Sequence, residues 1–276
     1  MKRPGVACFN LYLPPAIAPG DPAKAGPWLD HVRYIFPEEA EHIVNWLAHR
    51  VQRPQEKINH AIVLGGMQGI GKDTILEPVK YATGAWNFQE ASPTQILGRF
   101  NGFVKSVILR ISEARDLGEF DRFQFYDHLK SYAASPPDML RVDEKHLREY
   151  PIINCCGLII TTNHKTDGIY LPADDRRHFV AWSDRTKEDE RFEGDYWNKI
   201  WTYYSEGGLP AAARYQRVQS QGTASENRGI LDHRGRQSCA RGIRIGRPSG
   251  KPRVPQSHTA RPYSRNGGRR FRPLDQ

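Results

Sequence analysis

Gly65-Gly66-Met67-Gln68-Gly69-Ile70-Gly71-Lys72-Asp73-Thr74 is the stretch on which the fold of this chain turns. Ahead of it, Ala61-Ile62-Val63-Leu64 is a short apolar run that predicts a buried strand. Behind it, Thr74-Ile75-Leu76 opens a helical pattern. Gly66, Gly69 and Gly71 allow the backbone angles that turn amide N–H groups inward around phosphate oxygens. The helix that follows presents its positive N-terminus to the same anion, and Lys72 adds a point charge for the terminal phosphates. A strand, a Gly-rich loop and a helix in this order predict a phosphate-binding loop that uses Gly66, Gly69, Gly71, Lys72, Asp73 and Thr74.

Asp73 stands where such a loop usually carries the Ser or Thr whose hydroxyl binds Mg²⁺. The second half of the site should be an apolar strand ending in acidic residues. Val107-Ile108-Leu109-Arg110-Ile111-Ser112-Glu113 fits, with Ser112-Glu113 in place of an acidic pair. One reading is a reciprocal exchange. Asp73, Ser112 and Glu113 would then hold the metal, and Glu113 would also polarise the attacking water. The other reading is that Ser112 caps the strand and Asp73 starts the helix.

Two further motifs follow, Leu158-Ile159-Ile160-Thr161-Thr162-Asn163 and Asp174-Asp175-Arg176-Arg177. With all four, the chain resembles superfamily III helicases, within them the helicase portion of phage and plasmid primase–helicases, from about Phe9 to about Pro210. The resemblance implies an AAA+-like P-loop NTPase core, ATP and Mg²⁺ as cofactors, a homo-hexameric ring and ATP-driven movement on single-stranded DNA. It places Asn163 at a sensor position beside the γ-phosphate. Arg176 or Arg177 falls where an arginine finger acts on the neighbouring subunit's nucleotide, a task suited to a planar, permanently charged fork. A basic element between Glu113 and Asn163 would carry DNA contacts, and Lys130, Arg141 and Lys145 are its candidates. The primase part of such proteins is expected to be a separate protein or lost.

Charge is distributed unevenly. The formal net charge is +9, yet residues 211–276 carry 15 Lys plus Arg against 3 Asp plus Glu, leaving 25 basic and 28 acidic residues before them. That tail holds scattered apolar residues among Gly, Pro, Ser and Gln, too few to offset the entropy of ordering it. It is either a disordered Arg/Gly-rich arm for single strands or the product of a lost reading frame near Pro210. The four cysteines show no C-x-x-C or zinc spacing. They fit a reducing cytoplasm, with Cys155-Cys156 expected in a buried strand. No apolar run approaches a membrane span, so the expectation is a cytoplasmic protein with no membrane partner.

The expected layout is therefore α/β with a mainly parallel sheet. Residues 1–55 form a lead-in, extended as far as Asp30, and an N-terminal helix over Pro37–Val51. Residues 56–210 form the core, and residues 211–276 the tail. Strands are expected at 61–64, 104–111, 157–162 and near 178–182, with a helix from Lys72 bent at Pro78, mixed structure before Tyr150 and a closing helix over Trp197–Tyr204. Two readings from other classes compete with the motor: a truncated, non-catalytic P-loop remnant that binds nucleotide or DNA without turnover, and a small-molecule kinase. The arginine motif argues against the kinase.

Overall fold

The computed structural model describes residues 9–18, 20–112, 118–164, 171–172 and 175–218, with side chains of 118–122 left aside. Its elements are α1 (Gly26–Ile35), α2 (Ala40–Gln52), β1 (Ala61–Gly66), α3 (Lys72–Thr83), β2 (Phe88–Ala91), α4 (Pro93–Leu97), β3 (Ile108–Ile111), α5 (Gly118–Ala133), β4 (Met139–Val142), β5 (Tyr150–Ile153), β6 (Gly157–Thr162), β7 (His178–Ser183), α6 (Tyr196–Tyr203) and α7 (Leu209–Val218). Five strands form one sheet in the order β2-β3-β6-β1-β7. Every pairing within it is parallel. β4 and β5 form a separate antiparallel hairpin.

Parallel strands are covered on both faces, so their residues are apolar without alternation. β1 and β6 are buried at every position. The period-two geometry still sorts them. Ile62, Leu64, Ile108 and Ile159 pack with residues of α1, α2, α3, α6 and α7. Ala61, Val63, Leu109, Leu158 and Ile160 pack with Ile96 of α4, Phe125 and Leu129 of α5, and Leu140 and Val142 of the hairpin. The result is the expected α/β sandwich around a parallel sheet.

Several expectations need correction. The lead-in is not extended up to Asp30. Asp21 accepts a hydrogen bond from the Ala23 amide and, with Pro22, starts a 3-10 turn over Pro22–Ala25. Pro27 then fits the first turn of α1. The strand expected over 104–111 is only β3, because Gly102–Lys105 is a 3-10 turn. There the Ser106 hydroxyl donates to the Phe103 carbonyl and competes with extension. Cys155 and Cys156 lie in the connection before β6 and not in a strand. The mixed stretch before Tyr150 resolves into α5 and the β4–β5 hairpin.

The boundary at 210 falls inside α7, whose Ala211, Ala212 and Ala213 are buried against the α-layer core. Residues 219–276, most of the basic tail, lie outside the described residues.

Pro78 sits within α3 as expected. It has no N–H to donate to the Thr74 carbonyl four residues earlier. The buried Tyr204 hydroxyl fills that gap, donating to the Thr74 carbonyl at 2.9 Å. One residue along, Trp28 Nε1 donates to the Ile75 carbonyl at 3.1 Å.

Candidate nucleotide site

The loop between β1 and α3 lies at the C-terminal edge of the sheet, where ligands of open α/β folds bind. Gly66, Gly69 and Gly71 all take positive φ (144°, 89° and 89°), which a residue with a Cβ adopts only under strain. β6 lies beside β1 with Thr162 opposite Gly65, so Asn163 emerges next to the loop. Lys72 Nζ donates to the Gly66 carbonyl at 2.7 Å, the Met67 carbonyl at 2.8 Å and Asn163 Oδ1 at 2.8 Å. The structure thus joins the loop lysine and the expected sensor amide directly. Burial pushes the Lys72 ammonium down to about 8; Asp73 acts to raise it and Arg110 to lower it.

Asp73 and Thr74 occupy the first turn of α3, Thr74 buried and Asp73 with 69% of its side chain exposed. The Asp73 carboxylate is held by Arg110 of β3 in a short ion pair. Arg110 also donates to Thr161 Oγ1 at 3.3 Å and lies 3.7 Å from Glu90. Only 14% of the arginine side chain is exposed. Ser112 is half-buried at the end of β3, its amide donating to the Ala91 carbonyl at 3.3 Å. Glu113 lies outside the described residues. Among the described residues no group of three or more His, Cys, Asp or Glu is placed to hold a metal. The one first-turn carboxylate available to Mg²⁺, Asp73, already faces a cation.

Sequence reading missed Arg110 as a partner of Asp73. The signal was an arginine inside an otherwise apolar strand, which needs a charge partner when buried. It missed His31 as well, buried on α1 with Nε2 at 3.1 Å from the Gly71 carbonyl.

Arg176 and Arg177 are not near this loop. The Ala61 amide donates to the Arg177 carbonyl at 2.7 Å, at the N-terminal end of β1. β1 and β7 run parallel, so about five steps of 3.3 Å, roughly 17 Å, separate these arginines from the loop. Arg176 is exposed and Arg177 half-buried. Their neighbour Asp175 is buried, accepting from the Tyr126 hydroxyl at 2.9 Å and lying 2.7 Å from His178 Nδ1. Those contacts anchor the turn from which Arg176 projects.

With that geometry in place, comparison with known proteins is informative about the fold. Residues 64–177 match a family of unknown function, DUF5906. No curated protein is found to match the chain. Among solved structures, the chain superposes on the apo C-terminal region of NrS-1 with a TM-score of 0.64 at 20% identity, covering 79% of this chain and 52% of that one. A second structure of that region, its A form, gives 0.60 at 21% identity, with coverages of 84% and 57%. A JCV helicase superposes with a TM-score of 0.47 at 10% identity, with coverages of 70% and 52%. This chain therefore spans about half the length of the structures it matches. Its architecture is that of the NrS-1 C-terminal region.

The three cationic candidates for DNA contact lie on α5, on β4 and in the connection that follows β4. Lys130 on α5 pairs with Asp127 at 2.7 Å and lies over the Tyr126 ring. Arg141 on β4 pairs with Glu149 at 3.0 Å. Lys145 is exposed in the hairpin connection, residues 143–149. Two acids of that connection are held by cations, Asp143 by Arg99 at 2.8 Å and Glu144 by Lys105 at 2.6 Å, while Glu149 stays exposed beside Arg141. Tyr150 also donates to Glu144 at 2.6 Å. The tip then shows Lys145, His146, Leu147 and Arg148, of which only Lys145 had been singled out from sequence.

Proposed function

We propose that this chain is an ATP-dependent DNA helicase motor of the phage and plasmid replication type, hydrolysing ATP with Mg²⁺ to move on single-stranded DNA. The observation that carries the reading is the contact of Lys72 with Asn163 across the mouth of a loop with three positive-φ glycines. The ammonium's three donors meet three oxygens, the Gly66 and Met67 carbonyls and Asn163 Oδ1. Phosphate oxygens would replace the two loop carbonyls and leave Asn163 beside the γ-phosphate, free to orient the attacking water. Glu113, two residues past β3 in sequence and outside the described residues, is proposed as the residue that polarises that water.

The roughly 17 Å between loop and arginine pair supports a ring reading. Arg176 and Arg177 cannot serve their own subunit's nucleotide, so in this proposal they serve the neighbour's in a homo-hexamer. The hairpin tip, where Lys145 and Arg148 are exposed and Asp143 and Glu144 are paired with cations, is the proposed DNA contact, with Lys130 and Arg141 supporting it. No helix among the described residues is long and apolar enough to cross a membrane, and cytoplasmic operation is part of the proposal.

One observation favours the second reading, a remnant that binds without turnover. Asp73 is engaged by Arg110, which leaves Mg²⁺ without an evident first-turn ligand. Single-stranded DNA added to the purified chain with ATP and Mg²⁺ separates the two. The motor reading expects phosphate release that rises with DNA and vanishes in Lys72→Ala. Nucleotide binding with no release at any DNA concentration would leave the remnant.

A further inference from the structure

The residue that orients the loop lies outside it. His31 is fully buried on α1, between the loop and α6. Its Nε2 is 3.1 Å from the Gly71 carbonyl and its Nδ1 is 2.6 Å from the Tyr196 hydroxyl. A carbonyl can only accept, so Nε2 carries the proton and donates to Gly71, and Nδ1 accepts from Tyr196. The imidazole fits closely. A Cβ added to Gly71 would come within 2.7 Å of the His31 ring and 2.7 Å of Trp197. Burial pushes the His31 imidazole down to about 4, so near neutral pH it has one N–H, and that N–H is committed to Gly71.

The consequence is directional. In a planar trans peptide the carbonyl and the following N–H point in opposite senses. The Gly71 carbonyl already accepts from the Ile75 amide at 3.3 Å as the first helical bond of α3. The His31 donor adds a second fixed point from outside the helix. Together they hold the Gly71–Lys72 peptide plane so that the Lys72 amide points out of the N-terminus of α3, where no helical acceptor exists and an anion docks.

We propose that His31, with its tautomer set by Tyr196, is a positioning residue that aims the Lys72 amide at the bound phosphate. This rests on the nucleotide reading of the loop. It gives α1 and α6 a role in the site besides packing: the aromatic cluster of Tyr196, Trp197 and Phe192 holds the ring that holds the loop.

The test is an equilibrium titration of the full chain with a fluorescent ATP analogue and Mg²⁺, alongside chemical denaturation of the nucleotide-free protein. His31→Phe keeps the ring and removes the donor; affinity should fall about tenfold, the scale of one lost hydrogen bond in a buried site. His31→Gln returns a donor and should recover affinity to within about twofold of the parent, even where it does not recover the denaturation midpoint. Tyr196→Phe frees the tautomer and should weaken binding about threefold. A folded His31→Phe that binds like the parent overturns the proposal. If His31→Phe does not fold, a Tyr196→Phe protein that binds like the parent overturns it instead. A parent chain that binds no ATP at all removes the nucleotide reading itself, a failure distinct from variants that bind as well as a binding parent.

Discussion

Lys72 donates to the Asn163 amide oxygen at 2.8 Å, bridging the first residue of α3 and the end of β6. Two residues 91 positions apart meet because β1 and β6 are hydrogen-bonded neighbours that end at the same edge of the sheet. This contact, with two loop carbonyls, holds a largely buried ammonium without a hydrogen-bonded carboxylate.

Lys72→Ala should remove nucleotide binding. Loss of a buried, hydrogen-bonded charge from a site built around it is worth about 3 kcal/mol, on the order of a hundredfold in affinity. Titration with a fluorescent ATP analogue measures it, and an alanine protein that binds within a few-fold of the parent would show that the loop does not hold phosphate through this residue.

The same lysine sets a pH dependence. Its folded pKa of about 8 lies below the ordinary 10.5, chiefly because of burial. The unfolded chain therefore binds more protons between those values, and this group's contribution makes the nucleotide-free fold more stable as pH rises through that window. Phosphate favours the charged form, so ATP affinity should be greatest below about pH 8 and fall by up to about tenfold per unit above it. Calorimetric titrations from about pH 7 to about pH 9.5 check this; flat affinity, or affinity that rises, contradicts it.

Arg110 and Asp73 make opposite predictions for the two readings of the metal site. If Asp73 is a metal ligand, Mg²⁺ must displace the Arg110 guanidinium. Arg110→Met should then lower the Mg²⁺ concentration needed for half-maximal hydrolysis, by about threefold to tenfold, since a competing charge pair of this kind is worth roughly 1 kcal/mol. An unchanged Mg²⁺ requirement would make Asp73 a salt-bridge residue at the start of α3. In that case Asp73→Thr would cost little activity.

Arg176→Ala and Arg177→Ala should each leave ATP binding intact, and at least one of them should slow hydrolysis on the order of a thousandfold, the scale of a lost arginine finger. Because these residues sit at the opposite edge of the sheet from their own loop, mixing the impaired protein with Lys72→Ala should restore part of the rate. Rates that never exceed the sum of the separate proteins would count against action between subunits.

Tyr204→Phe should destabilise the fold through the first turn of α3. It leaves the Thr74 carbonyl, already deprived of a helical donor by Pro78, unpaired in a buried place. The expected loss is about 1–3 kcal/mol, the cost of an unmet buried polar group. Urea denaturation reads it directly. Restoring an in-helix donor with Pro78→Ala in the Tyr204→Phe background should recover part of the loss.

What the sequence determined by itself is local. Ala61–Leu64, Gly157–Thr162 and His178–Trp182 read as strands because parallel strands covered on both faces are continuously apolar, a property visible without partners. Gly66, Gly69 and Gly71 read as a phosphate-type loop because a positive φ demands glycine at each turn. The α/β class followed from the alternation of such segments. The relationships that depend on side chains meeting across the fold were decided only by tertiary structure. Arg110 stands in sequence as one charge in an apolar run, and only the fold sets Asp73 of α3 beside it. His31 lies just past the stretch read as an extended lead-in, and nothing in sequence links it to Gly71, 40 residues away, against which α1 brings it. Arg176 and Arg177 carry no sign in sequence of which edge of the sheet they occupy. The pairing of β1 with β7 puts them far from their own loop, because parallel strands that begin together also end together, and the loop lies at the far end.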